Sequence, residues 1–174
     1  MQFLLLGLLL DGSATLYDLH KRFRAGISLF YAASFGSIQR ALRQVEEQGW
    51  ARSEESMHGA RRKRFYGITD EGRTVWRSWM LSALTGSDPE PVILARIYLL
   101  GHLAEAERAA CIAVIRSRLV EDEQRLRALA NELDAVTISD EVADHYRYRR
   151  ATLDYGLRSH DLALAWLADV ELAP

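Results

Sequence analysis

"HGARRKRFYGITDEG", residues 58–72, sets Arg61, Arg62, Lys63 and Arg64 in a row and follows them at once with Phe65, Tyr66 and an Ile–Thr–Asp–Glu run. The stretch reads as a hairpin that carries positive charge at its tip and then opens a helix. "WARSEESM" (50–57) and "KRFYGI" (63–68) are the strands, and His58–Gly59–Ala60 is the turn between them. Along the second strand Arg64, Tyr66 and Ile68 point one way and Lys63, Phe65 and Gly67 the other. Thr69 can cap the next helix, with Asp70 and Glu71 in its first turn, where the helix dipole favours negative charge. That helix runs to about Leu84 and buries Trp76, Trp79 and Met80.

Upstream of the hairpin the pattern is helical. "QFLLLGLLL" is apolar on every side and stops at Asp11–Gly12, which predicts a short buried helix. Ser13 or Thr15 can cap the second helix, "LYDLHKRF", in which Leu16, Leu19 and Phe23 share a face. "AGISLFYAAS" interrupts the period. In the third helix, "FGSIQRALRQVEEQG", Ile38, Leu42 and Val45 form one apolar stripe and Gly49 is the stop. Three helices, two strands and a helix are the order of a winged helix-turn-helix. The third helix is then the recognition helix and the hairpin the wing.

Downstream, "TGSDPEP" (Thr85–Pro91) supplies loop formers. Beyond it come "PVILARIYLLGHL" and a helix from about Ala104 to Leu133. Its Ile112, Ile115, Leu119, Leu126, Leu129 and Leu133 follow heptad spacing, with Asp122 in the missing step. A last helix, about Asp140 to Glu171, repeats the style. Two such helices leave apolar surface uncovered, and a second copy of the chain is the simplest cover. The expected organisation is mainly α. A winged helix-turn-helix domain at 1–84 and a linker at 85–90 precede a long-helix dimerisation domain at 91–174.

Composition sets limits on function. The 174 residues carry a net charge of −2, and 49% of them are hydrophobic, ordinary globular material. The charge is uneven. Residues 1–84 hold twelve Lys/Arg against eight Asp/Glu, a balance of +4, and residues 85–174 hold ten against sixteen, a balance of −6. A basic front half suits an anionic partner. One cysteine, Cys111, allows no internal disulfide, and the longest apolar run, Phe3–Leu10, is too short to span a bilayer. A cytoplasmic protein with no membrane partner is expected. The five histidines show no metal-ligand spacing, and neither a catalytic grouping nor a cofactor loop is visible.

The chemistry that remains is nucleic-acid binding. Ser34 and Ser37 stand at the start of the recognition helix, where backbone amides favour phosphate. Gln39, Arg40 and Arg43 are long enough for the major groove, where Gln pairs with adenine and Arg with guanine. Arg61, Arg62 and Lys63 on the wing suit phosphates, whereas Arg64 is placed to lie beside Tyr66. An ordinary solvated helix face and a merely solubilising hairpin tip are the plain alternatives. A winged-helix module that binds protein without DNA is the alternative function. Tyr17, Tyr66, Trp76 and Trp79 read as core.

Four blocks resemble the PadR-type transcriptional regulators: "LLGLLLDG" (5–12), "YDL" (17–19), "FYAASFGSIQRALRQVEEQGW" (30–50) and "RRKRFYGITDEGR" (61–73). The back half, through "TLDYGLRSHDLALAWL" (152–167), is similar to the longer helical domain of the virulence-regulator-like subgroup. The resemblance implies a cytoplasmic homodimer, joined through its C-terminal helices, that represses or activates transcription at specific double-stranded DNA. It further implies a small aromatic effector at the dimer interface in some members, for which Trp166, Tyr155 and Tyr146 are the candidates here. The chain departs from the family at Gln39–Arg40, where Tyr–Pro is frequent, and at Leu16, where Gly is usual.

Overall fold

The structure, a computed structural model, describes residues 1–58 and 61–172. Its elements are α1 (Gln2–Leu9), α2 (Leu16–Ala25), α3 (Phe35–Glu47), β1 (Ala51–His58), β2 (Arg61–Ile68), α4 (Asp70–Leu81), α5 (Glu90–Leu99), α6 (Glu105–Asp134) and α7 (Ala143–Leu172). Single 3-10 turns follow α2 and α5 and precede α7. The winged helix-turn-helix order and the long C-terminal helices are both present. Two compact units divide at Met1–Cys111 and Ile112–Pro174, a later division than the loop formers of 85–91. Among the described residues, no helix is long and apolar enough to cross a membrane.

In the first unit α1 is the central post. Leu4 through Leu9 are all buried, as an all-round apolar helix demands. α2 starts at Thr15 rather than Ser13. Thr15 Oγ1 accepts the Asp18 amide (3.2 Å), and the Asp18 carboxylate accepts the Thr15 amide (3.1 Å), a reciprocal capping box. Leu19 and Phe23 point into the core, as do Ile38, Leu42 and Val45 from α3. α3 ends in a Schellman motif, with Trp50 N–H on Val45 O (2.9 Å) and Gly49 N–H on Glu46 O (3.0 Å). Gly49 takes the left-handed φ of +76° that this motif needs.

β1 and β2 pair antiparallel from Ala51↔Ile68 outward to His58↔Arg61. Gly59 and Ala60, expected to turn the hairpin, lie outside the described residues. Tyr66 is buried and exchanges two backbone hydrogen bonds with Ala14 (2.9 and 3.0 Å), so the loop before α2 adds a one-residue third strand. Thr69 caps α4. Its Oγ1 accepts the Gly72 amide (3.0 Å) and donates to Gly49 O (2.7 Å), and its own amide donates to Trp50 O (3.0 Å). The wing's exit is thereby tied to the end of α3. α4 closes at Leu81, short of the expected Leu84, and buries Trp76 and Met80. Trp79 is half-buried, stacked on Phe3 at 5.0 Å.

Arg96 of α5 is 1% exposed. Its guanidinium donates to Ser82 O (2.7 Å) and Ser82 Oγ (3.0 Å) and lies 5.2 Å from the Trp79 ring centre. It therefore satisfies the frayed end of α4 and holds α5 on it. Burial pushes its pKa down, and burial likewise pushes the Cys111 thiol up, against the effect of Arg96.

In the second unit α6 and α7 run antiparallel. The pairs Arg116–Glu171, Arg127–Asp161 (3.1 Å) and Arg150–Asp134 (2.8 Å) step down one helix and up the other. Ile112, Ile115 and Leu119 of the heptad stripe are buried, and Asp122 in its missing step is held by Arg118 and Arg125. These guanidiniums hold the Asp122 carboxyl below its ordinary pKa, against the burial that would raise it. Leu129 departs from the stripe, at 46% exposed.

Candidate nucleic-acid interface

α3 opens with a second reciprocal box. Ser34 Oγ accepts the Ser37 amide (3.1 Å), and Ser37 Oγ accepts the Ser34 amide (2.9 Å) and donates its proton to Ser34 O (2.8 Å). Both serines expected to meet phosphate are thus engaged in capping. The amides of Phe35 and Gly36 have no acceptor among the described residues. Gln39, Arg40 and Arg43 are exposed, and their side chains make no hydrogen bond or ion pair to any described residue. They follow each other on the face away from the Ile38–Leu42–Val45 stripe, so the core fixes their direction.

The wing divides its cations by strand alternation. Arg64 turns inward along the end of α3. It donates to Glu46 (2.9 Å) and to Ser53 (2.8 Å), and its guanidinium lies 5.4 Å from the Tyr66 ring centre. Tyr66 and then Glu46 push its pKa further up. Arg62 shares that strand face but sits farther out, 74% exposed, with Glu55 at 3.2 Å across the hairpin. An exposed pair of this kind is worth ~0–1 kcal/mol and yields readily to a phosphate. Lys63 is exposed on the opposite face. Its charge reaches Asp18, whose carboxyl is held below its ordinary pKa by the Thr15 hydrogen bonds first and by Lys63 and Arg22 after them. The side chains of Arg61 and His58 lie outside the described part of the structure.

Tyr17 corrects the expectation of four core aromatics. Tyr66 and Trp76 are buried, but Tyr17 is 69% exposed, because the second position of α2 faces away from Leu19 and Phe23. Phe35 is a second exposed aromatic. Its spacing of three from Ile38 places it on the buried stripe, yet it is 45% exposed, with one edge on the His20 ring (5.3 Å between centres). The spacing gave no sign of it. On α7, Tyr155 is exposed and Tyr146 is spent on Leu133 O and Asp134 (3.0 Å each). Tyr155 and Trp166 stand eleven residues apart on that helix, roughly 16 Å at the α-helical rise. One protomer's α7 therefore does not gather the three effector candidates. Concavities of about 390 and 250 Å³ lie along α4 and beside the wing base, both lined by Arg73. Among the described residues, no group of three His, Cys, Asp or Glu could hold a metal.

Residues 5–78 match the model of the Transcriptional regulator PadR-like family. A probable transcriptional regulator of Mycobacterium tuberculosis, Rv1176c, is 26% identical over 166 residues, which are 88% of this chain and 86% of that one. Of solved structures, Bacillus subtilis PadR in complex with operator DNA is 19% identical with a TM-score of 0.45, over 99% of this chain and 97% of that one. The Vibrio cholerae virulence activator AphA is 24% identical with a TM-score of 0.40, over 97% of this chain and 94% of that one.

Proposed function

We propose that this protein, PadR-like over residues 5–78, is a sequence-specific DNA-binding transcriptional regulator that acts as a homodimer on a roughly palindromic operator. The observation that carries the reading is the outer face of α3. Gln39, Arg40 and Arg43 stand there exposed and unpartnered beside a wing whose Arg62 and Lys63 point outward. α3 enters the major groove, where those three side chains meet base edges. Arg61, Arg62 and Lys63 hold flanking phosphates. Ser34 and Ser37 act at one remove, by fixing the helix tip whose free amides face the backbone. Occupying an operator blocks transcription, so repression is the simplest action of such a site.

The dimer rests on α7. Tyr148, Tyr155 and Leu162 are spaced by seven and are 64%, 74% and 71% exposed, an apolar line too regular for water. In this reading residues 1–84 read DNA, 85–90 connect, and 91–174 assemble the dimer, in the cytoplasm where its DNA lies. A small aromatic effector would sit at the interface, with Tyr155 and Trp166 contributed to it.

Selecting duplexes from a random-sequence pool with the intact chain tests the proposal. The expected product is one family of inverted repeats with half-sites about 10 base pairs, or a multiple, apart. A pool that emerges unenriched contradicts DNA reading and leaves the protein-binding module in its place.

A further inference from the structure

The tip of α3 presents an apolar group where the sequence offers hydroxyls. The Ser34 and Ser37 side-chain oxygens each accept the other residue's backbone amide, and the one proton Ser37 Oγ donates goes to Ser34 O. Gly36 beside them has no side chain, and a Cβ built there would meet nothing nearer than 4.0 Å. No neighbour in the chain requires glycine at that position, and its bare backbone admits a surface from outside. The side chain that projects from this turn is Phe35, 45% exposed and braced by His20. Arg40, a turn further along, reaches back until its Nη1 is 4.0 Å from the same Gly36 position. The tip is thus a phenyl ring flanked by free amides and a guanidinium.

A recognition helix leads into the major groove with its N-terminal residues. Of the groups that base pairs display there, the C5-methyl of thymine is the apolar one. We infer that Phe35 is a specificity-determining residue that reads a thymine methyl in each half-site, with His20 holding the ring in place. The inference rests on the DNA-reading function above. Apolar contact at this point gains nothing from a phosphate, a guanine or a cytosine edge, and the cations around it bring the duplex within reach.

The test uses a duplex selected by the intact chain from a random pool, and copies in which each thymine in turn is replaced by deoxyuridine, which lacks only that methyl. The expected result is a loss of affinity of about fourfold at one thymine per half-site, the worth of one buried methyl group. Phe35→Ala should bind the thymine and uracil duplexes equally at that position, and Phe35→Leu should keep part of the difference. A flat uracil scan of the unchanged chain overturns the inference while leaving DNA reading intact. So does a Phe35→Ala protein that discriminates as strongly as before. If the chain selects no duplex at all, the reading itself falls and the inference with it.

Discussion

Arg64 shows why a run of like charges has to be resolved residue by residue. It stands between Lys63 and Phe65 in the basic stretch, yet its guanidinium is committed to Glu46, Ser53 and the Tyr66 ring. It fixes the wing to the end of α3, and in the proposed function it is not one of the cations that meet phosphate. Arg64→Ala should therefore weaken DNA binding by no more than about fivefold, the worth of an exposed ion pair, without changing how affinity falls with salt. Lys63→Ala should lower the salt slope by about 0.9 if its ammonium touches one phosphate. Titrating both variants against one duplex at several salt concentrations checks the contrast. Strand alternation made the direction of Arg64 legible in advance, because it put Arg64 and Tyr66 on one face. The exposure of Tyr17 follows from the period of α2, which sets it off the Leu19–Phe23 face. The exposure of Phe35 was not legible, because its spacing of three from Ile38 puts it on the apolar stripe of α3.

At the scale of elements, Thr69 and Gly72 join three pieces of the fold. A Cβ added at Gly72 would run into the Trp50 carbonyl oxygen, a backbone atom already accepting the Thr69 amide. The glycine is needed for this close approach and not for any unusual φ. Gly72→Ala should cost about 1–3 kcal/mol, as overpacking does, and lower the melting temperature by roughly 3–10 °C. Circular dichroism on heating measures it, and Arg73→Ala, at an exposed position of the same helix, is the neutral control. Hydrophobic period, capping residues and the Gly49 stop located the helices and strands of the first unit before any coordinates. The Ala14–Tyr66 bridge and the hold of Arg96 on Ser82 had no local signal. Both join residues distant in sequence, and each depends on where tertiary packing brings a lone backbone group or a charged side chain. Arg96 in particular reads in sequence as an ordinary surface charge within an apolar helix.

For the whole molecule, the net charge of −2 averages a basic front half and an acidic back half. The basic half faces outward through α3 and the wing. The acidic half is laced by Arg–carboxylate pairs between α6 and α7, and it leaves the Tyr148–Tyr155–Leu162 line uncovered. Light scattering at micromolar concentration should give about twice the chain mass of 19.7 kDa. Tyr155→Glu with Leu162→Glu should halve that value and weaken binding to a two-half-site duplex far more than to a single half-site. The heptad spacing raised the expectation of a partner helix; the exposed apolar line lies on α7, while Ile112, Ile115 and Leu119 of the stripe counted on α6 are buried within the chain. The most direct test of the central claim is the salt dependence of affinity for a selected duplex. It compares the intact chain with a variant in which Arg61, Arg62 and Lys63 are all alanine. The account predicts a steep log–log slope for the intact chain, reduced in the variant by about 0.9 for each phosphate contact removed. An affinity indifferent to salt, or a slope that the three substitutions leave unchanged, would contradict it.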